Sequence, residues 1–336
     1  MTDTELPDAL NHWRLNPPLA IGSIARGTNN VSFLVRSGTG RFVLKCSQAA
    51  GGLERSAFEQ ALVRALADEK LPFSVPSPVQ TISGGTSVEL ARGAGVSRFT
   101  LFHHIPGHAA RFGNHADAFR CGVALAFLDQ ALDAVRLDPT TPVPDTFGDL
   151  HSIHPAVPDP AAAIHQLSLD HALATTLMTV VSLVEEQWQQ RTSGWKVQLI
   201  HSDFYPSNAL MESGEVTGIL DFEFAGTGHR AMDFAIGLGS FSTRNWDDGC
   251  AWPLVDSFAQ GYLRRTPLSS EELAAVPMLL RFREATSFIH WLGRSMRGPS
   301  TVNDIHARAR RLLALDRWLT AHQGELVNRL ERIAGP

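Results

Sequence analysis

Apolar residues change their spacing once along this chain, near Ile105-Pro106-Gly107, and that change limits the folds open to it. Before it they fall in short runs, many of them β-branched and divided by turn residues: 19–25, 31–36, 41–45, 86–90 and 97–103. Such runs read as strands of a small antiparallel sheet, with Ser37-Gly38-Thr39-Gly40 as the hairpin turn between the second and third. One helix is expected among them, over 53–70, where Phe58, Leu62 and Leu66 recur every four residues. Leu71-Pro72 and Pro76-Ser77-Pro78 end it, because proline removes a backbone donor and disfavours helix in the residue before it.

After the change the spacing is helical: Phe119, Val123, Phe127 and Leu128, then Leu173, Leu177, Val180, Val181, Val184 and Trp188. Further helices are expected over 252–263, 271–292 and 302–319, with 194–233 as a non-helical interruption. The Pro- and Asp-rich segment 137–160 reads as a long surface connection. The expected architecture is therefore α+β and bilobal. A small antiparallel-sheet N-lobe spans 1–104 and a larger helical C-lobe spans 105–336, with ligand in the cleft between them.

Composition narrows the function classes. The net charge is -5 and the 29 Lys and Arg are scattered, so no nucleic-acid partner is expected. Residues 1–11 lack the basic and apolar runs of a secretory signal. The longest apolar candidate, 173–184, is bounded by Asp170, Glu185 and Glu186 and falls short of the roughly 20 residues of a span, so no membrane association is expected. Three cysteines without a CxxC pair fit a reducing compartment, and the cytoplasm is expected. Oligomeric state is not legible.

The chemistry concentrates in Leu199-Ile200-His201-Ser202-Asp203-Phe204-Tyr205-Pro206-Ser207-Asn208, followed by Ile219-Leu220-Asp221-Phe222-Glu223. Phosphoryl transfer needs a carboxylate to orient and deprotonate an attacking hydroxyl, and oxygen ligands to hold Mg²⁺ against a triphosphate. Asp203, Asn208 and Asp221 suit those needs, and the turn around Gly214 brings the Asp221 strand back beside Asn208.

This His-x-Asp-x-x-x-x-Asn pattern, with an apolar strand ending in Asp, resembles the catalytic and metal-binding loops of the aminoglycoside phosphotransferase and choline kinase superfamily. Within it the chain most resembles bacterial homoserine kinases of kinase fold, including the stretch from Arg283 to Trp291. The resemblance implies a protein-kinase-like fold, ATP and Mg²⁺ as cofactors, and a small-molecule hydroxyl acceptor: homoserine or another amino alcohol, a sugar or an aminoglycoside. It implies Asp203 as catalytic base and Asn208 and Asp221 as metal ligands. His201 and Asp233 would be structural braces. The family commonly has glycine where this chain has Ser202.

In the N-lobe, Gly27-Thr28-Asn29-Asn30-Val31-Ser32 resembles the family's phosphate loop, with Gly27, Asn29, Asn30 and Ser32 as nucleotide contacts, although a plain hairpin is the alternative. Lys45 sits where the family holds the lysine of the α- and β-phosphates. Glu59 is favoured over Glu54 as its partner, since Glu54 lies at the helix start, where a carboxylate merely complements the dipole. Phe102 and His103 mark the neighbourhood of adenine contact. Glu223, Asp247, Glu284, Trp246 and Trp291 are acceptor candidates on residue type alone. The chain lacks the Ala-Pro-Glu ending of a protein-kinase activation segment after Asp221. A pseudokinase and a non-enzymatic binding protein remain the alternatives.

Overall fold

The computed structural model describes residues 5–26, 30–48, 53–92, 95–144, 148–167, 170–298 and 301–335. Its N-lobe follows from strand alternation. In β3 (Gly40–Gln48), Phe42, Leu44 and Cys46 face a small core with Phe33 and Val35 of β2 (Asn30–Ser37) and Phe99 and Leu101 of β5 (Gly95–His103). Lys45, one residue out of phase, must face the other side of the sheet. β1 (Ala20–Arg26) and β4 (Ser87–Arg92) complete an antiparallel sheet of order β1-β2-β3-β5-β4. Ala9 and Leu10 of α1 (Glu5–Leu10), with Trp13, close the small core, and the Trp13 indole donates to the Val79 carbonyl at 2.9 Å. This six-residue helix is too short for a hydrophobic period and is absent from the sequence expectations.

α2 (Leu53–Ala67) links β3 to β4, and its Phe58, Leu62 and Leu66 belong to the large core shared with the helical lobe. The segment after α2 joins the lobes by backbone bonds. Ser74 N–H donates to the Thr217 carbonyl (2.9 Å) and the Ser74 carbonyl accepts from Ile219 N–H (3.0 Å).

The C-lobe begins with β6 (His108–Ala109) and α3 (His115–Ala134), then α4 (Pro160–His165) and α5 (His171–Arg191). Three short strands follow, β7 (Gln198–Ile200), β8 (Ala209–Glu212) and β9 (Glu215–Ile219), and then β10 (Gly226–Gly228). They form two small ladders, β6-β8-β9 and β7-β10. The chain ends in α6 (Arg230–Ser242), α7 (Trp252–Leu263), α8 (Ser270–Met296) and α9 (Val302–Ala334). Paired glycines let α3 and α7 touch backbone to backbone: a Cβ on Gly122 would lie 2.3 Å from the Phe258 carbonyl oxygen, and one on Gly261 2.1 Å from that of Phe119.

Three sequence expectations need correction. The non-helical interruption ends at His229 rather than at 233, because α6 starts at Arg230. Every residue from Ala231 to Ser242 is buried, so α6 has no polar face and leaves no amphipathic period to read. The segment 137–160 is not simply a surface connection: Leu150 and Val157 are fully buried in the main core. α9 runs past 319 to Ala334, with Leu326 and Leu330 continuing its buried stripe. Among the described residues no helix is long and apolar enough to cross a membrane.

Candidate active site

β7 pairs only with the three-residue β10, so the chain leaves the ladder at His201 with backbone donors to satisfy. The buried carboxylate of Asp233, in the first turn of α6, takes two of them: His201 N–H at 2.5 Å and Ser202 N–H at 2.6 Å. Behind it lies a second buried acid, Asp129 of α3, whose Oδ2 accepts from the Tyr262 hydroxyl at 2.5 Å. Burial and the Asp233 charge raise Asp129 well above the usual carboxylate range, and Asp233 is itself raised by burial.

His201 is wholly buried and bridges two loops. Its Nδ1 accepts from Asp203 N–H (3.2 Å), so the ring proton is on Nε2, which donates to the Leu220 carbonyl (3.0 Å). The ring therefore fixes Asp203 relative to the residue before Asp221. Asn208 ends the turn Pro206–Asn208; its Nδ2 donates to the Asp203 carbonyl (2.8 Å) and its own carbonyl accepts from Leu220 N–H (2.8 Å). The β8-β9 hairpin, with Ser213 and Gly214 at positive φ, returns the chain to Asp221, which is also left-handed at φ 66°.

Across the cleft, Lys45 Nζ lies 2.9 Å from Glu59 Oε1 and 3.3 Å from Asp221 Oδ1. Burial alone would lower its pKa, but the charges of Glu59, Asp221 and Glu223 outweigh it and hold Lys45 above the usual lysine range. Ser32 is directly opposite Lys45 in the β2-β3 register and so shares its face of the sheet. Asn30 Nδ2 donates to Glu223 Oε2, a second link between the lobes. Burial, then the Asp221 charge, pushes Glu223 up to about 7.

Lys45, Glu59, Asn30, Ser32, Asp203, Asn208, Asp221 and Glu223 thus border one cleft. Phe102 is buried, and His103 is exposed with its N–H given to the Ser77 carbonyl (3.0 Å) at the edge leading to the connector. Gly27 and Asn29, with the side chain of Glu54, lie outside the described residues. Of the acceptor candidates chosen by type, Asp247 is exposed and paired with Arg317 (2.8 Å), and Trp246 is buried against Trp318. Glu284 pairs with Arg311 at 2.8 Å.

Sequence reasoning missed Arg283 as a site residue. Its Nη2 lies 2.8 Å from Asp203 Oδ1 and 3.4 Å from the Tyr205 hydroxyl. Burial raises Asp203 and the Arg283 charge opposes it, with a net upward direction. Asp129 was missed too, although an acid inside the apolar run Ala124-Leu125-Ala126-Phe127-Leu128 is a visible anomaly.

Asn208 and Asp221 fit a hard cation. The Asn208 amide nitrogen is turned onto Asp203, so its oxygen, with only a long 3.4 Å contact from Ser207, faces away from that bond. Amide and carboxylate oxygens are the donors magnesium or calcium prefers. Elsewhere, Asp149, His151 and Glu185 bring ligand atoms within 4.8 Å of one another, but Asp149 caps His151 N–H and Glu185 pairs with the His151 ring.

Two solved structures share this architecture. A microcompartment-associated aminopropanol kinase superposes with a TM-score of 0.73 at 15% identity, covering 98% of this chain and 100% of that one. The amicoumacin kinase hAmiN, in complex with AMP-PNP, Ca²⁺ and Ami, gives 0.69 at 16% identity, covering 94% of both chains. The fold is the bilobal, protein-kinase-like one. A homoserine kinase from Gluconobacter oxydans (strain 621H) is 30% identical over 316 residues, 90% of this chain and 92% of that protein. The profile of the phosphotransferase enzyme family matches residues 21–273, and the chain belongs to that family. It is a small-molecule kinase with an alcohol group as acceptor.

Proposed function

We propose that this kinase transfers the γ-phosphoryl of ATP to the hydroxyl of homoserine or a closely similar amino alcohol. The observation that carries the reading is the meeting of Asp203, Asn208, Asp221 and Lys45 across one cleft, from segments more than 150 residues apart in the case of Lys45. Homoserine is favoured because the Gluconobacter relative is a homoserine kinase, and the AMP-PNP bound to hAmiN, an ATP analogue, supports the nucleotide.

In this reading Lys45 holds the α- and β-phosphates and Glu59 keeps its ammonium aimed. Asn30 and Ser32, with Gly27 and Asn29, line the phosphates, while Phe102 and His103 border adenine. Asn208 and Asp221 hold Mg²⁺, which when bound offsets phosphate charge. Asp203, only 18% exposed, points one oxygen at Arg283 and the other toward Asn208, so its orientation is set before substrate arrives. It accepts the hydroxyl proton as the new P–O bond forms and the bond from the γ-phosphorus to the β-phosphate oxygen breaks, releasing ADP. The transition state is loose, so this positioning outweighs the basicity of Asp203. Dependence on ATP fits a cytoplasmic enzyme.

The test is ADP release with Mg-ATP across homoserine, choline, ethanolamine, simple sugars and aminoglycosides. Homoserine is expected to stimulate release most, and Asp203→Asn to abolish the stimulation. A larger response to choline or an aminoglycoside would reject the homoserine assignment.

A further inference from the structure

Beyond Asp203, α8 and α9 bring a cluster of arginines together. Arg283, Ser287 and Trp291 follow one another at four-residue spacing along one face of α8. Arg308 of α9 donates to Ser287 Oγ (3.4 Å) and lays its guanidinium over the Trp291 ring, 4.7 Å from the centroid. Arg311, one turn on, binds Glu284 at 2.8 Å, and Arg283 binds Asp203 at 2.8 Å. A third carboxylate, Asp304, lies one turn before Arg308 on α9 and is held low in part by the Arg308 charge, without an ion pair between them. Arg308 is the one with no ion pair among the described residues; its polar neighbour is a hydroxyl and its broad contact is an indole.

We propose that this cluster is an anion subsite in which Arg308, backed by Arg283, takes the carboxylate of the acceptor while the acceptor's hydroxyl faces Asp203. The orientation rests on the kinase reading above; the binding of the anion does not. Several observations support it. Arg283 lies 3.4 Å from the Tyr205 hydroxyl beside the catalytic loop, and Ser287, which Arg308 contacts, is one turn along α8 from Arg283. Burial lowers the pKa of Arg308; the Glu284 and Tyr205 charges oppose it, and the positive charges of Arg311 and Arg283 add to the lowering. A guanidinium held over an indole has less freedom to turn, and a carboxylate matches its N–H edge with two parallel bonds. An acceptor that carries only ammonium groups meets the same cations as repulsion.

The subsite thus selects a hydroxy amino acid over the amino alcohol that lacks its carboxylate. Homoserine and 3-aminopropan-1-ol differ by that group alone, and L-2-aminobutyrate is homoserine without the hydroxyl. These three compounds separate the anion subsite from the transfer chemistry.

The experiment measures initial rates for homoserine and 3-aminopropan-1-ol with the full chain, Arg308→Gln and Arg308→Lys, and melting temperature with L-2-aminobutyrate in the absence of ATP. The wild-type kcat/KM for homoserine is expected to exceed that for 3-aminopropan-1-ol by about 100-fold, the worth of a charge-assisted bidentate bond. Arg308→Gln should bring that ratio near unity, chiefly through KM for homoserine, and Arg308→Lys should restore part of it. L-2-aminobutyrate should raise the melting temperature of the wild type but not of Arg308→Gln. Equal wild-type use of the two acceptors, or an unchanged preference in Arg308→Gln, overturns the proposal. If the wild type turns over neither acceptor, the kinase reading fails. The melting shift then decides the subsite on its own: a shift lost in Arg308→Gln sustains it, and no wild-type shift overturns it.

Discussion

Ser202 is expected to be a worse residue for this fold than glycine, by an amount the structure allows to be worked out. Its φ is 68°, a left-handed conformation that costs an L-residue about 1–2 kcal/mol. It is 1% exposed and its Oγ has no hydrogen-bond partner among the described residues, a loss of about 1–2 kcal/mol for a buried hydroxyl. Replacement by glycine removes both penalties and adds about 0.4–1 kcal/mol of unfolded-chain entropy. The net gain is about 1–3.5 kcal/mol. An unfolding entropy near 2.1 cal/mol/K per residue turns that into a rise of about 1–5 °C for 336 residues. The assay is thermal unfolding of Ser202→Gly beside Ser202→Ala, which drops the hydroxyl but keeps the strain. Glycine should melt highest and alanine between glycine and wild type. A lower melting temperature for Ser202→Gly would refute the reasoning.

Other expectations follow from the same geometry. Lys45→Met leaves Glu59 and Asp221 facing each other without their shared cation, and should lower kcat/KM for ATP by about 100-fold or more in steady-state rates. Asp129→Asn keeps an acceptor for the Tyr262 hydroxyl and should be nearly neutral, whereas Asp129→Ala strands that hydroxyl and should lower the melting temperature by about 3–6 °C, or about 2–4 kcal/mol. His290 is pushed down to about 4 by burial and by Arg294, His154, Arg283 and Arg55, so its neutral form belongs to the folded state. Its contribution is present above the unfolded value of 6.5 and is lost as pH falls from there toward 4, by up to about 3 kcal/mol. His290→Phe should flatten that part of the stability-versus-pH curve in urea titrations.

Local patterns made much of this molecule legible. The N-lobe strands alternate cleanly because one face is covered and the other lines the cleft, as β3 shows with Leu44 and Cys46 against Lys45. The neighbourhood of Asp203, Asn208 and Asp221 follows from a short loop and one tight hairpin, so sequence spacing carries it. α6 was hidden because it is buried all round, and α1 because six residues hold no period. The Arg283–Asp203 and Arg308–Trp291 contacts join segments that only tertiary packing brings together, and no spacing rule reaches them. Ser202 shows the converse: the resemblance marks the position as one that prefers glycine, but its φ comes only from the structure.

The central claim is transfer of the terminal phosphoryl group onto an acceptor hydroxyl with Asp203 as base. The most direct measurement follows the label from γ-labelled ATP into homoserine, with the product identified by mass, for wild type and Asp203→Asn at equal magnesium. The account expects label on the side-chain oxygen of homoserine with wild type, and a rate lower by about 1,000-fold or more with Asp203→Asn. Label released only as inorganic phosphate, or full transfer by Asp203→Asn, would contradict it.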